Sequence, residues 1–210
     1  MSRSILFPGQ GAQYVGMGRD LAESVRGVRE IYDTASGILG FDLARVCFEG
    51  PEAELTRTSV CQPAILVTSL AACFALESRE GAPRNYAAAA GLSRGEFTAL
   101  CFAGSLDFAD AVRVVGLRGA LMQEACEASP GSMAIPMGLD RAAAESLAER
   151  ARGDGVLLLS NYNAPGQYVL SGSLEALDRA ESMAKEAGAR RFIRLNVAGA
   201  YHSPLMASAA

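Results

Sequence analysis

Gly91-Leu92-Ser93-Arg94-Gly95 follows a short run of small, apolar residues, Tyr86 to Ala90, and leads into Glu96-Phe97-Thr98-Ala99-Leu100. The run before it predicts a strand, and the stretch after it a helix. Gly-x-Ser-x-Gly at a strand-to-helix turn is the nucleophile-elbow pattern. Such a turn holds its serine at strained backbone angles with the hydroxyl exposed. The two glycines let strand and helix approach each other. The helix that follows points free N–H groups at any anion formed there. Small residues also crowd ordinary tight turns, so on these five residues alone a catalytic Ser93 and a plain turn both stand.

A chain of 210 residues fits one large domain, or one domain carrying an insertion. With 50% hydrophobic and 20% charged residues it can bury a sizeable core and does not read as disordered. A net charge of −4 argues against a nucleic-acid partner, which needs a basic field. Of the 19 basic residues only Lys185 is a lysine, a bias that points to genome composition rather than function. No apolar run reads as long enough to span a bilayer. The N-terminus lacks the apolar h-region of a signal peptide and runs straight into a strand. No membrane partner and a cytoplasmic location are therefore expected. The five cysteines (Cys47, Cys61, Cys73, Cys101, Cys126) include no Cys-x-x-Cys pair, and His202 is the single histidine. A Cys/His zinc site is not expected on that count, and buried, reduced thiols are.

Upstream of the elbow, Ser4 to Phe7 predicts a first strand, ended by Pro8-Gly9-Gln10-Gly11. Tyr14 stands where a dinucleotide-binding loop needs its third glycine, so that reading fails. The loop can still bring a backbone N–H close to a ligand or an oxyanion. Asp20 to Leu39 reads as one helix, and Phe41 to Leu55 as a loop and helix punctuated by Gly50-Pro51. Ala64 to about Ser78 reads as a helix apolar nearly all round, hence deeply buried. Gly81 to Arg84 turns the chain into the elbow strand. Asp107 is positioned to cap a helix running to about Ala125. Its apolar stripe of Ala111, Val114, Val115, Leu121, Met122 and Ala125 also carries Arg118. An inward guanidinium needs an anion. Either a core acid such as Glu96 supplies it, or a substrate carboxylate does.

The texture then changes. Ser132–Leu139, Val156–Asn161, Gln167–Ser171 and Ala189–Leu195 read as strands, with helices over Asp140–Arg152 and Leu174–Ala187. The order β-α-β-β-α-β predicts a ferredoxin-like unit between about 128 and 196. Asn161 to Gly166 should form its loop tip. Asn196 to Pro204 leads back towards the first part and contains His202. Ser93 needs a base near neutral pH, and His202 is the one candidate of the natural type.

Phe7 to Gln13, Gln62-Pro63-Ala64, Gly91 to Glu96, Arg118-Gly119 with Met122-Gln123, Asn161 to Gln167 and Gly199 to Pro204 stand in this order along the chain. In these segments the chain resembles the malonyl-CoA:acyl-carrier-protein transacylases, a family of fatty-acid and polyketide acyltransferases. The resemblance implies an α/β protein. Its larger, α/β-hydrolase-like subdomain would comprise 1–127 plus 197–210, with a smaller ferredoxin-like (βαββαβ) subdomain, 128–196, inserted. It implies that Ser93 carries the acyl group as an ester and that His202 is its base. The backbone N–H groups of Gln10 and Arg94 would form the oxyanion hole, and Arg118 would bind the free malonyl carboxylate. The partners implied are malonyl-CoA and acyl carrier protein, with the chain itself a monomer. No cofactor is implied, since the CoA thioester is substrate and the phosphopantetheine belongs to the carrier protein.

Two positions depart from the family pattern: Leu92, where histidine is usual, and Arg94, where an apolar residue or glutamine is common. In the family a late glutamine carbonyl orients the histidine, and it would lie beyond Ala210. The resemblance thus leads us to expect a truncated chain or a fragment with an incomplete larger subdomain. A serine hydrolase or thioesterase built on the same elbow is the alternative enzyme; it normally places an acid between serine and histidine, and Asp140, Asp154 and Asp178 fall there. An inactive fragment that binds a carrier protein, with Arg190, Arg191 and Arg194 as its basic cluster, is the non-enzymatic alternative.

Overall fold

The computed structural model describes residues 3–80 and 86–210, so the expected turn at Gly81 to Arg84 lies outside the described residues. The chain divides into two compact units, 1–120 and 121–210.

In the first unit, β1 (Arg3–Phe7) and β2 (Tyr86–Gly91) pair in parallel. Ile5 stands opposite Ala89, and Phe7 opposite Gly91. The crossover between them is helical: α1 (Arg19–Ser24), α2 (Val28–Leu39), α3 (Leu43–Glu49), α4 (Glu52–Thr56) and α5 (Thr58–Glu80). α6 (Gly95–Phe102) follows β2, and α7 (Phe108–Ala128) begins in this unit. The single helix expected over 20–39 is two. Val25 turns extended and Gly27 takes φ 93°, a left-handed angle that suits glycine alone at low cost, so the chain bends between α1 and α2. The 41–55 region is likewise two helices, parted at Gly50-Pro51, with the Asp42 side chain accepting the Arg45 N–H at 2.8 Å to cap α3.

α5 starts at Thr58, six residues before the expected Ala64, and keeps Pro63 inside it. By length and composition it could cross a membrane, contrary to the expectation that no run could. Most of it instead forms the centre of the first core. Cys61, Ala64, Ile65, Leu66, Val67, Leu70 and Ala71 are all buried, packed with Tyr32, Leu43, Phe48, Ala99, Phe102 and Val115. Burial of this kind, at roughly 25 cal/mol per Å² of apolar surface, is the main drive to fold. The stripe read along α7 holds at Ala111, Val115, Met122 and Ala125 but not at Val114, which is 43% exposed.

The second unit contains β3 (Gly131–Met137), α8 (Arg141–Arg152), β4 (Leu157–Ala164), β5 (Gln167–Ser173), α9 (Leu174–Ala184) and β6 (Arg191–Arg194). The sheet is antiparallel with order β4-β5-β3-β6, which is the ferredoxin-like arrangement. Strand alternation sets its two faces. Ala134 and Leu170 pack with Ala144, Leu147 and Ala148 of α8 and Leu177 and Ala180 of α9. Their strand neighbours Met133 and Val169 pack with Met122, Ala125 and Cys126 at the end of α7 and with Tyr201 and Met206. Residues 197–210 had been expected to group with 1–127; by contacts they fall in the second unit, on that other sheet face, together with 121–128. The polar stretch Asn161 to Ala164, expected as a loop tip, is strand. Pairing continues to Ala164–Gln167, Tyr162 stacks edge-on against Tyr168, and only Pro165-Gly166 turn.

Candidate active site

The parallel register ends β1 and β2 side by side, so the loop after β1 lies against the elbow. The Leu92 N–H donates to the Phe7 carbonyl at 3.1 Å. A Cβ on Gly9 would sit 3.1 Å from the Leu92 side chain. The elbow itself closes through Gly95 N–H to Leu92 O at 2.9 Å and Glu96 N–H to Ser93 O at 3.0 Å. Both of its glycines are sterically required. A Cβ on Gly91 would fall 1.9 Å from the Gly95 carbonyl carbon, and one on Gly95 would fall 2.7 Å from the Phe7 oxygen. Ser93 has φ 54°. A left-handed non-glycine residue costs about 1–3 kcal/mol and persists where its surroundings force it, so the elbow is strained as the motif requires. Gln10 is half-buried in the adjoining loop, and Arg94 directly precedes the first turn of α6.

Arg118 reaches this serine. Its Nη2 donates to Ser93 Oγ at 3.3 Å and its Nη1 donates to Gln62 Oε1 at 2.5 Å. Gly119 makes the approach possible: a Cβ there would lie 2.9 Å from the Thr58 carbonyl, so α7 comes into backbone contact with the start of α5. Glu96 is exposed and is not the core acid once considered for Arg118. Gln62 is 1% exposed, and no role had been read for it. The signal was available: an amide inside a helix of apolar residues must be hydrogen-bonded. The Arg94 side chain is buried, and its charge partly offsets the effect of burial on the neighbouring Cys61 thiol. Burial dominates there and pushes Cys61 up to about 11. All five cysteines are free thiols, four of them buried. Among the described residues no cluster could hold a metal ion.

His202 lies in the second unit, exposed, in a turn between β6 and a 3-10 helix, Pro204–Ala209. The turn is pinned. Ser171 Oγ on β5 donates to the Tyr201 carbonyl at 2.6 Å, in a buried position, and Ser203 Oγ donates to the Ala200 carbonyl at 2.6 Å. Gly199 leaves room for Cys126, whose Sγ would be 2.3 Å from any Cβ there. His202 has φ 57°; among the described residues it and Ser93 are the two non-glycine positions with positive φ. The three aspartates named for the hydrolase reading are otherwise engaged or solvent-facing. Asp140 caps α8 through the Ala143 N–H at 2.8 Å, Asp178 pairs with Arg194 at 2.6 Å, and Asp154 is exposed in a turn. Arg194 also pairs with Glu181 at 2.8 Å, which leaves Arg190 and Arg191 as the basic residues of that cluster without an ion pair among the described residues.

Residues 5–210 match the family described as the acyl transferase domain. The chain is 42% identical over 208 residues to the malonyl CoA-acyl carrier protein transacylase of Bacillus subtilis and 44% identical over 208 residues to that of Escherichia coli K12. In each case 99% of this chain is covered; it spans 65% and 66% of the two relatives' lengths. Among solved structures, an acyl carrier protein S-malonyltransferase from Vibrio cholerae superposes with a TM-score of 0.91 at 40% identity, over 100% of this chain and 68% of that one. A malonyl-transacylase solved in complex with a type II PKS acyl-carrier protein gives 0.92 at 38% identity, over 100% and 67%. A match that runs from Ile5 to Ala210, and so takes in the elbow, Arg118 and His202, makes this chain a member of the acyl transferase domain family.

Proposed function

We propose that the chain carries the chemistry of a malonyl-CoA:acyl-carrier-protein transacylase, and that Ser93 bears the malonyl group between the two thiols. The observation that carries this reading is the Arg118 guanidinium 3.3 Å from Ser93 Oγ, held from its other side by Gln62. In a malonyl ester one methylene separates the ester carbonyl from the free carboxylate. Its counter-ion must therefore sit close to the nucleophile's oxygen, and a planar fork meets a carboxylate with two parallel hydrogen bonds. An acetyl group would leave that cation without its anion.

Transfer is ping-pong. Ser93 Oγ attacks the thioester carbonyl of malonyl-CoA while His202 takes its proton. The tetrahedral oxyanion is met by the backbone N–H groups of Gln10 and Arg94, the latter at the N-terminal end of α6. The C–S bond breaks, and His202 returns the proton to the departing CoA thiolate. The phosphopantetheine thiol of an acyl carrier protein then attacks the Ser93 ester by the reverse steps. The reaction draws on no cofactor. Fatty-acid synthesis in the cytoplasm, with the protein acting as a monomer on a soluble carrier, is the setting this chemistry fits.

The relatives' names support the substrate and the partner. The hydrolase reading gains nothing from Asp140, Asp154 or Asp178, whose places are structural or solvent-facing. The test is to mix the chain with malonyl-CoA and a phosphopantetheinylated carrier protein. Malonylated carrier supports transfer; free malonate in its place supports hydrolysis.

A further inference from the structure

A cleft of about 650 Å³ opens on the first unit between the end of α1 and the C-terminal half of α5, lined by no residue of the elbow, Arg118 or Gln62. Ala72, Ala75, Leu76 and Arg79 follow one another along α5 at spacings of three, one and three residues, so they lie on one face of the helix. Leu21 and Val25 form the opposite wall. The floor is thus apolar and ends at Arg79, in the last turn of α5, with Arg26 from the α1–α2 turn at the same cleft. Ser24 and Ser78 add hydroxyls. Among the described residues neither Arg26 nor Arg79 has an ion-pair or hydrogen-bond partner. The volume falls within the roughly 300–1,000 Å³ of small-molecule sites. Among the described residues no aromatic ring lines it, so they offer no platform for a nucleobase.

We propose that this cleft binds a single-chain anionic amphiphile, with the alkyl chain along the Ala72–Ala75–Leu76 stripe and a terminal carboxylate held by Arg26 and Arg79. The chemistry asks for both parts. Two guanidiniums with no acid paired to them among the described residues suit an anion, and an apolar trough beside them suits hydrocarbon rather than a polar body. The site is independent of Ser93, and binding there persists in Ser93→Ala.

The test is calorimetric titration of the 210-residue chain with monomeric sodium decanoate. One-site binding is expected, with 1-decanol bound about tenfold or more weakly, because it keeps the chain and loses the charge-assisted hydrogen bonds. Arg26→Gln/Arg79→Gln should weaken decanoate by a similar factor. Ala72→Trp, which fills the trough and leaves both arginines, should abolish binding. Equal affinity for decanoate and decanol on the wild-type chain overturns the proposal, whatever the fold of the variants. So does undiminished binding by folded Ala72→Trp, or association with anionic phospholipid vesicles without any binding of the monomeric acid.

Discussion

Arg118 donates through Nη2 to Ser93 Oγ at 3.3 Å while Gln62 holds its Nη1 at 2.5 Å. The guanidinium is therefore held beside the Ser93 hydroxyl by at least one further side chain. Arg118→Ala should lower kcat/KM for malonyl-CoA by about 2–5 kcal/mol of transition-state free energy, roughly 30-fold or more, and erase the preference over acetyl-CoA. Arg118→Lys should recover only part, since an ammonium cannot make the two-point contact. Initial rates with the two thioesters measure this. An unchanged malonyl preference in Arg118→Ala would remove the residue from substrate recognition.

Gln62 acts through Arg118, so its truncation should have a narrower signature. Gln62→Ala removes one of the contacts that hold the guanidinium and should raise KM for malonyl-CoA several-fold, with a smaller change for acetyl-CoA. A purely structural role would reduce both substrates alike through lost folded protein, which a thermal melt detects.

The elbow glycines make a stability prediction. Gly95→Ala puts a methyl 2.7 Å from the Phe7 carbonyl, and Gly91→Ala puts one 1.9 Å from the Gly95 backbone. Overpacking of backbone against backbone costs about 1–3 kcal/mol or more. Both variants should unfold at lower urea, with Gly91→Ala the worse. Two variants as stable as the parent would contradict the close strand–helix approach.

Buried thiols give a pH prediction. Burial pushes Cys61 from its ordinary 9.0 up to about 11 and Cys47 up to about 12. Between pH 9 and 11 the folded chain keeps a Cys61 proton that the unfolded chain has released. Stability should be intact below pH 9 and fall as pH rises through this window. Cys61→Ala should flatten that part of a stability-versus-pH curve. A curve as steep in the variant as in the parent would show that Cys61 is not the group responsible.

The parts of the fold that were legible in the sequence are those set by local rules. The elbow was readable because Gly-x-Ser-x-Gly is a short local pattern and Gly91 is demanded by Gly95, four residues on, although Gly95 itself is demanded by Phe7 on β1. The ferredoxin-like order was readable because the strand and helix patterns follow one another as β-α-β-β-α-β and Asp140 announces α8. What local rules could not supply went differently. Nothing in the composition of 20–39 requires the bend at Gly27. The polar residues of Asn161 to Ala164 resemble a loop until Tyr168 pairs opposite them. Residues 197–210 have no periodicity, and their place is decided by Met133 and Val169 on a distant sheet face. Ser93, Arg118 and His202 were each visible as residue types out of keeping with their surroundings. Gln62 was quotable as part of a motif, but its role needed the contact between α5 and α7 that Gly119 permits.

The central claim is that Ser93 is acylated by malonyl-CoA, and an intact mass of the chain after brief exposure to malonyl-CoA tests it most directly. The account predicts a single malonyl adduct that is absent in Ser93→Ala and much reduced in Arg118→Ala. Persistence of that adduct in Ser93→Ala, or no adduct and no CoA release from a folded wild-type chain, would contradict it.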